Sequence, residues 1–124
     1  MVVDKATSQI ICTDFSVGKK HDFRLLKEGK VRFQESLKVF VDSGYQGFQK
    51  LHLNTKIPKK KIKKRPLSKA DKANNRKISS KRVLVENVIG SVKRFRILSE
   101  RYRNRRTRFA LRFNLVAAIH NFEL

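Results

Sequence analysis

Two acidic residues stand out because of the sequence around them. Asp42 directly follows a short apolar run at positions 37–41, which predicts an acid at the carboxyl end of a strand. Glu86 is the only acid between Lys72 and Ser99, in a stretch with helical spacing. Hard divalent cations such as Mg²⁺ prefer oxygen ligands, and paired ions can activate water for phosphoryl transfer. Two acids are a weak pattern by themselves, but they make metal-dependent phosphoryl transfer a hypothesis worth testing.

Each acid also has an ordinary structural explanation. Asp and Gly both favour turns, so Asp42 is equally explained by a turn that ends its strand. Glu86 has Arg82 four residues before it, and an ion pair at this spacing contributes about 0.2–0.5 kcal/mol. Gly90 and Lys93 follow on the same helical stripe. A glycine inside a helix costs about 1 kcal/mol relative to alanine, so Gly90 suggests that something packs closely there.

The first part of the chain predicts strands and one short helix. β-rich residues at 2–3 and 10–12 flank a turn-like segment, which predicts a hairpin within residues 1–16. A helix is expected over 22–28, with Gly29 just past its end. Positions 37–41 predict a buried strand, and ligands of α/β sheets bind beyond the carboxyl ends of such strands.

The second part of the chain predicts helices. Ser68 is suited to cap a helix, with Asp71 as the partner in an imperfect capping box, and a helix is expected over 69–77. A longer helix is expected after Ser79 and Ser80, ending near Ser99. Its predicted apolar face consists of Val85, Val88, Ile89, Val92 and Phe95. A last helix, about 108–122, is apolar on most sides and is expected to pack deeply. The pattern is that of an α/β protein, in which a basic loop at 56–67 separates residues 1–55 from residues 68–124.

The positive charge of the chain is concentrated in its second half. The 124 residues include 31 Lys and Arg but only 10 Asp and Glu, which gives a net charge of +21. Residues 56–112 hold 22 basic and 3 acidic residues, a net charge of +19. Nucleic acid is the natural partner for so basic a surface. The lysine run at 56–66, which contains two prolines, is explained as a solvated tether, as a phosphate-binding or disordered arm, or as both at once.

Other features of the sequence exclude several classes of protein. The single cysteine, Cys12, cannot form an internal disulfide, and no Cys/His cluster suggests zinc. The longest apolar run, 115–119, is far too short to span a bilayer, and the first residues lack a secretory segment. We therefore expect a soluble intracellular protein with no membrane partner.

A series of short motifs follows along nearly the whole chain. In order they are Val3-Asp4-Lys5-Ala6-Thr7, Gly18-Lys19-Lys20-His21-Asp22-Phe23-Arg24-Leu25, Val41-Asp42-Ser43-Gly44-Tyr45-Gln46-Gly47, Asn74-Asn75-Arg76, Arg82-Val83-Leu84-Val85-Glu86-Asn87-Val88-Ile89-Gly90, Lys93-Arg94-Phe95-Arg96-Ile97-Leu98 and Arg101-Tyr102-Arg103-Asn104-Arg105-Arg106. Each motif alone has little specificity for any one protein family, but the set in this order is highly specific. It resembles the C-terminal half of bacterial insertion-sequence DDE transposases, of the group named after insertion sequence five.

The resemblance implies a ribonuclease H-like fold, in which a mixed sheet flanked by helices holds two Asp and one Glu that bind two Mg²⁺ ions. By this resemblance Asp42 is the second Asp and Glu86 is the Glu, so both are expected to be catalytic and to bind metal. Metal-bound water in such enzymes cuts the transposon end, and the freed 3′-hydroxyl attacks target DNA. Lys93 would face the DNA. The candidate DNA-binding residues are Arg82, Lys93, Lys59, Lys60, Lys61, Lys63, Lys64, Arg94, Arg101, Arg103 and Arg105.

One part of the family pattern has no counterpart in this sequence. The family's first Asp lies on a strand before the segment that residues 1–3 resemble, and none of Asp4, Asp14 and Asp22 matches it. We therefore expect a transposase fragment that lacks the first strand, is inactive alone and associates through an open sheet edge. The expected partners are DNA at transposon ends and targets, an N-terminal transposase segment or full-length transposase, and a second copy. The expected location is the bacterial cytoplasm, at the nucleoid. The alternative function is a non-enzymatic basic DNA-binding module that regulates full-length transposase.

Overall fold

A computed structural model describes residues 1–16, 20–99 and 106–124, which divide into two compact units. Unit 1 comprises Met1–Phe15 and Val83–Leu124, and unit 2 comprises Ser16–Arg82. In chain order the elements are β1 (Val2–Val3), β2 (Ile10–Cys12), α1 (Asp22–Glu28), β3 (Val39–Phe40), β4 (Thr55–Lys56), α2 (Lys69–Lys93), α3 (Arg96–Ser99) and α4 (Phe109–Glu123). The strands form one antiparallel pair and one parallel pair, so the chain is of the α/β class with small sheets.

Unit 1 begins with the β-hairpin that the sequence predicts. Val2 of β1 pairs with Cys12 of β2 in antiparallel register. The connection between the strands is organised by Asp4, whose carboxylate accepts hydrogen bonds from the hydroxyl of Thr7 at 2.7 Å and from the N–H of Ala6 at 3.1 Å. Because these bonds favour the ionised form, they lower the pKa of Asp4.

Strand β2 is joined to helix α4 by the side-chain amide of Asn121. Its Oδ1 accepts from the N–H of Ile10 at 2.8 Å, and its Nδ2 donates to the carbonyl of Ile10 at 2.9 Å. The neighbouring His120 is buried, with Nδ1 lying 2.8 Å from the Ser91 hydroxyl of α2. One amide side chain thus satisfies both main-chain polar groups of a buried residue, as a neighbouring strand would.

The core of unit 1 confirms part of the apolar face predicted for the Glu86 helix, namely Val88, Val92 and Phe95. Val88 and Val92 are both 4% exposed and pack in one cluster with residues of β2 and α4. The buried members of this cluster are Ile10, Val88, Val92, Val116 and Ala117. The core is therefore formed where the hairpin and two helices meet.

Helix α4 packs less deeply than its composition predicts. Its buried residues are Val116, Ala117 and His120, whereas Leu111 and Phe122 remain 70% and 92% exposed. The prediction of deep packing on most sides is wrong, because the described parts of the chain cover one side of this helix. Neither α4 nor any other described helix is long and apolar enough to cross a membrane.

Helix α2 is continuous where the sequence predicts two helices. It runs without a break through Ser79 and Ser80 for 25 residues, so the predicted boundary there is wrong. Both serines are exposed, and serine costs at most about 0.7 kcal/mol in a helix interior. Burial of Ile78, which is 4% exposed, outweighs that cost. The helix ends at Lys93, and the short α3 follows instead of one helix reaching residue 99.

Unit 2 is built around a cluster of aromatic rings. Phe48 is 3% exposed, and the rings of Phe23 and Phe33 meet it nearly edge-on at centroid distances of 6.3 and 6.1 Å. Buried His52 lies against the rings of Phe33 and Phe48, and its Nε2 is 2.6 Å from the carbonyl of Leu37. Helix α1 confirms its predicted bounds and ends at Gly29. The aromatic cluster therefore holds α1 against the segment that follows β3.

Strand β3 is shorter and less buried than predicted. The sequence predicts a buried strand over 37–41, whereas only Val39 and Phe40 form the strand and both are half-buried. Val39 pairs with Thr55 of β4 in parallel register. No third strand among the described residues joins this pair, so β3 lacks the neighbours that bury a strand in a larger sheet.

Candidate active site and nucleic-acid surface

Asp42 occupies the predicted position just beyond the carboxyl end of β3. The residue is exposed and extended, with φ −75° and ψ 161°, and it caps a single 3₁₀ turn, Ser43–Tyr45. Its Oδ1 accepts a hydrogen bond from the N–H of Ser43 at 2.6 Å. Asp42 therefore has the turn role that offers an ordinary structural explanation for it, and this role holds its Oδ1 atom in place. A fixed, exposed carboxylate at this end of a parallel strand is placed where it can meet a ligand.

Arg82 lies beside Asp42 rather than pairing with Glu86. Its NH1 atom is 3.4 Å from Asp42 Oδ1, and the Arg82 side chain is 26% exposed. Asp42 is 53% exposed, so the pair is partly solvated and contributes at most about 1 kcal/mol. The guanidinium thus places a positive charge directly next to the candidate metal ligand.

Two further side chains of unit 2, His21 and Tyr45, are associated with the 3₁₀ turn that Asp42 caps. The imidazole of His21 lies over Gly44, with Cε1 3.7 Å from where a Cβ would stand. Burial raises the pKa of Tyr45, and the negative charges of Asp22 and Asp42 raise it further. His21 and Tyr45 belong to the motifs at 18–25 and 41–47, but their sequence context alone indicates no role for either.

Glu86 lies on an exposed stripe of helix α2. Among the residues described, Glu86 takes part in no salt bridge. The ion pair with Arg82 that would explain Glu86 as a structural residue is therefore not formed. Gly90, one turn later, is exposed, and an added Cβ would meet no atom of the described residues within 4 Å. The expectation of close packing at Gly90 is therefore wrong for the part of the chain that the structure describes. Lys93 is exposed at the end of the helix.

The donor atoms of Asp42 and Glu86 suit a hard divalent cation. Mg²⁺ is bound in proteins through one or two carboxylates together with substrate phosphates and water. Asp42 belongs to unit 2 and Glu86 to unit 1, and each is an exposed carboxylate within its own unit. No group of three or more His, Cys, Asp and Glu side chains is assembled within residues 1–16, 20–99 and 106–124. The described part of the chain thus offers single carboxylates rather than a complete protein cage.

The candidate DNA-binding residues are found in different surroundings. Lys60, Lys61, Lys63 and Lys64 are all exposed in the loop between β4 and α2. Lys59 forms an ion pair with Asp71 at 3.1 Å, and Arg94 forms one with Glu123. Arg101, Arg103 and Arg105 lie outside the described residues.

The start of α2 contains two residues whose contacts bear on this loop. The predicted capping box is confirmed, because Ser68 N–H donates to Asp71 Oδ2 at 3.3 Å and Asp71 N–H donates to Ser68 Oγ at 3.1 Å. Asn75 forms two hydrogen bonds to the main chain of Lys59. Asn75 belongs to the motif at 74–76, but nothing local in the sequence indicates its contact with Lys59.

Comparison with known proteins gives these positions a context. Residues 1–122 match the family described as "Transposase DDE domain". The chain is 48% identical over 124 residues to the "Probable transposase for insertion sequence element IS702" of Microchaete diplosiphon. The match covers 100% of this chain but 45% of that relative, so the chain spans under half of the relative's length. No solved structure matches the chain. Since the family match extends over nearly every residue, including Asp42 and Glu86, the chain belongs to the transposase DDE domain family.

Proposed function

We propose that this chain supplies two of the three catalytic acids, and a basic DNA-binding surface, to an insertion-sequence transposase. The observation that carries the proposal is the placement of Asp42, an exposed carboxylate fixed at the carboxyl end of β3 beside Arg82. The intact enzyme would perform metal-dependent DNA cleavage and strand transfer. Because neither Asp4 nor Asp14 nor any other Asp matches the family's first Asp, these 124 residues alone are proposed to be inactive.

The proposed fold of the intact domain is ribonuclease H-like. The antiparallel β1–β2 pair and the parallel β3–β4 pair are the kinds of pairing that a mixed sheet combines. Each pair has two strands, so each has main-chain groups that a further strand could satisfy. The proposal is that the family's first strand, which carries its first Asp, completes such a sheet.

The chemistry assigns separate tasks to the residues of this chain. Asp42 and Glu86 would hold Mg²⁺ through carboxylate oxygens, and the bound ion would activate water and stabilise the leaving oxygen. Arg82 keeps the Asp42 carboxylate in place and presents a cation to an approaching phosphate. Lys93, exposed at the end of α2, would bind a phosphate of the DNA backbone.

DNA is the proposed partner, at transposon ends and at the target. The net charge of +19 over residues 56–112 supports a contact with phosphate groups. An N-terminal transposase segment, full-length transposase or a second copy would act with the chain on this DNA. The proposed place of action is the bacterial nucleoid.

Cleavage and strand transfer in Mg²⁺ or Mn²⁺ test this function. The substrate is a labelled duplex carrying the inverted repeats that flank the coding sequence, and the chain is tested alone and mixed with a separately expressed segment that carries the first Asp. We expect activity only on mixing, and we expect Asp42→Asn or Glu86→Gln to abolish it. Asp14→Asn, which alters another exposed carboxylate, is the matched control and should retain activity. Cleavage by the wild-type chain alone would overturn the inactivity clause.

A regulator that only binds DNA is the second candidate function, favoured by the run of exposed lysines before α2. This function predicts that Asp42→Asn and Glu86→Gln leave DNA binding unchanged or strengthen it, since each removes a charge that repels phosphate. It also predicts that no mixture with the N-terminal segment cleaves DNA. Activity on mixing that disappears with either substitution would exclude it.

A further inference from the structure

The loop between β4 and α2 is anchored at Lys59 by one side chain of the helix. The N–H of Lys59 donates to Asn75 Oδ1 at 2.8 Å, and Asn75 Nδ2 donates to the carbonyl of Lys59 at 2.9 Å. The preceding residue, Pro58, is buried, and its carbonyl accepts a hydrogen bond from Gln46 Nε2 at 3.2 Å. Two consecutive residues at the start of the basic loop are thus held by contacts to distant parts of unit 2.

The side chain of Lys59 is also occupied. Its Nζ lies 3.1 and 3.3 Å from the two carboxylate oxygens of Asp71, which is itself fixed by the capping box with Ser68. The hydrogen bond from Lys59 lowers the pKa of Asp71, which accords with a well-formed pair. Lys59 is therefore an anchoring residue, and its charge is already offset within the chain.

Among the residues that the structure describes, the lysines that follow Lys59 have no such partner. The chain reverses in a turn closed by Arg65 N–H, which donates to the carbonyl of Ile62 at 3.0 Å. Lys63 and Lys64 occupy the two central positions of this turn and are exposed. Within the described residues, no salt bridge joins a carboxylate to any cation of the loop after Lys59, namely Lys60, Lys61, Lys63, Lys64 and Arg65. The loop therefore contains an ordered turn, and its cations form no ion pair with a carboxylate of the described residues.

We propose that Asn75 positions this lysine turn as a preformed clamp for the phosphate backbone of duplex DNA. The inference rests on the proposed function, because it takes DNA as the partner of the chain. Lys63 and Lys64 at the tip, with Lys60 and Lys61 at the side, contact phosphates. Asn75 is a positioning residue, which acts through the main chain of Lys59 and never contacts DNA.

The anchor gives the turn an advantage over a free tether of the same charge. Ordering a flexible arm on binding costs conformational entropy for every residue that is immobilised. Here the hydrogen bonds of Asn75 and the turn at 62–65 order the arm before DNA arrives. Loss of the anchor should therefore reduce the number of phosphate contacts made at once, although the charge of the chain is unchanged.

The test is fluorescence anisotropy with the full chain and a labelled DNA duplex of mixed sequence, measured over a range of salt concentrations. Each phosphate contact contributes about 0.9 to the slope of log K against log salt. The Lys63→Ala/Lys64→Ala variant should lose up to about 1.8 of this slope. Asn75→Ala should lose about 0.9 or more, whereas the control Asn74→Ala, at the exposed neighbouring position, should keep the wild-type slope.

Hydrogen exchange and thermal unfolding separate positioning from a general loss of structure. The amide of Lys59 should be protected in the wild type and in Asn74→Ala but exchange rapidly in Asn75→Ala, while helix amides stay protected. If Asn75→Ala keeps the wild-type slope of log K against log salt, the inference is overturned. It is also overturned if Asn74→Ala loses as much of that slope as Asn75→Ala does. If Asn75→Ala does not fold, the test rests on the Lys63→Ala/Lys64→Ala variant. An unchanged salt dependence of DNA binding in that variant overturns the inference as well.

The design also separates this inference from the proposed function. A wild-type chain that shows no salt-dependent binding to duplex DNA overturns both. A wild type that binds DNA while the lysine and Asn75 variants keep its slope overturns only the inference. A duplex RNA of the same sequence is titrated in parallel, and tighter binding to RNA would overturn the choice of DNA as partner.

Discussion

Arg82 NH1 lies 3.4 Å from Asp42 Oδ1, so a cation of helix α2 is held beside the carboxylate that ends β3. The two residues are 40 positions apart in the sequence. Both side chains are partly exposed, and an ion pair of this kind contributes little to folding. Its effect is local, because it fixes the position of one carboxylate oxygen and places a positive charge where a phosphate would approach.

The candidate catalytic acids should be nearly dispensable for stability. Asp42→Asn keeps a residue that caps well and loses only the Arg82 pair, so we expect a loss of at most about 1 kcal/mol. Glu86→Gln alters an exposed residue and should change stability by at most about 0.5 kcal/mol. Urea unfolding followed by circular dichroism measures both. A loss above about 2 kcal/mol at Glu86 would point to a structural role.

Two glycines should respond to alanine in opposite directions. Gly90 lies in the interior of α2, and no atom of the described residues is within 4 Å of an added Cβ, so Gly90→Ala should stabilise the free chain by about 1 kcal/mol. Gly47 has φ +91°, and Gly47→Ala should cost about 1–2 kcal/mol. Thermal unfolding of the two variants gives the comparison. Destabilisation by Gly90→Ala would show that something does pack against that stripe.

Acid should destabilise the chain through its paired carboxylates. The pKa of Asp71 is lowered by the hydrogen bond from Lys59, and that of Glu28 is lowered by the hydrogen bonds from Lys20 and Arg24. A lowered folded-state pKa means that the stabilisation is fully present above the ordinary values, 3.8 for Asp and 4.5 for Glu. It is lost as the pH falls below those values and through the folded-state pKa.

Urea midpoints measured from neutral pH downwards, together with NMR titration of the Asp71 carboxyl, check this prediction. Lys59→Met removes the main cause of the shift and should move the pKa of Asp71 back toward 3.8. The Asp71→Asn variant should show a shallower loss of stability in acid. An Asp71 carboxyl that titrates identically in the wild type and in Lys59→Met would contradict the ion pair.

Asn121 and Asn114 provide a matched pair on helix α4. Asn121→Ala leaves both main-chain groups of the buried Ile10 without their partner, so we expect a loss of about 1–3 kcal/mol. Asn114 accepts a hydrogen bond from Thr13 at an exposed site, and Asn114→Ala should cost no more than about 1 kcal/mol. Chemical denaturation of both variants makes the comparison, and equal losses would contradict the role given to Asn121.

Local patterns predicted local structure well. The bounds of α1, the hairpin and the Ser68–Asp71 capping box were all predicted, because each depends on residues within a few positions of one another. Burial was predicted less well, since it depends on distant parts of the chain. Thus β3 is half-exposed and Leu111 of α4 is open to solvent.

The same difference between local and distant contacts applies to the candidate site. Asp42 was placed correctly at the end of a strand, because the apolar run before it is a local signal. Its partner Arg82 and the contact between Asn75 and Lys59 were not foreseen, since no periodicity links residues 40 or 16 positions apart. Whether Asp42 and Glu86 bind metal stays a prediction.

The amide of Asn121 also determines on which side the hairpin can be extended. Both main-chain groups of Ile10 are already bonded to this side chain, so the β2 edge offers no template there to an incoming strand. We therefore expect a strand added to this pair to join at β1 and not alongside Ile10. A helix side chain would in this way leave the hairpin one edge for extension and block pairing at Ile10 on the other.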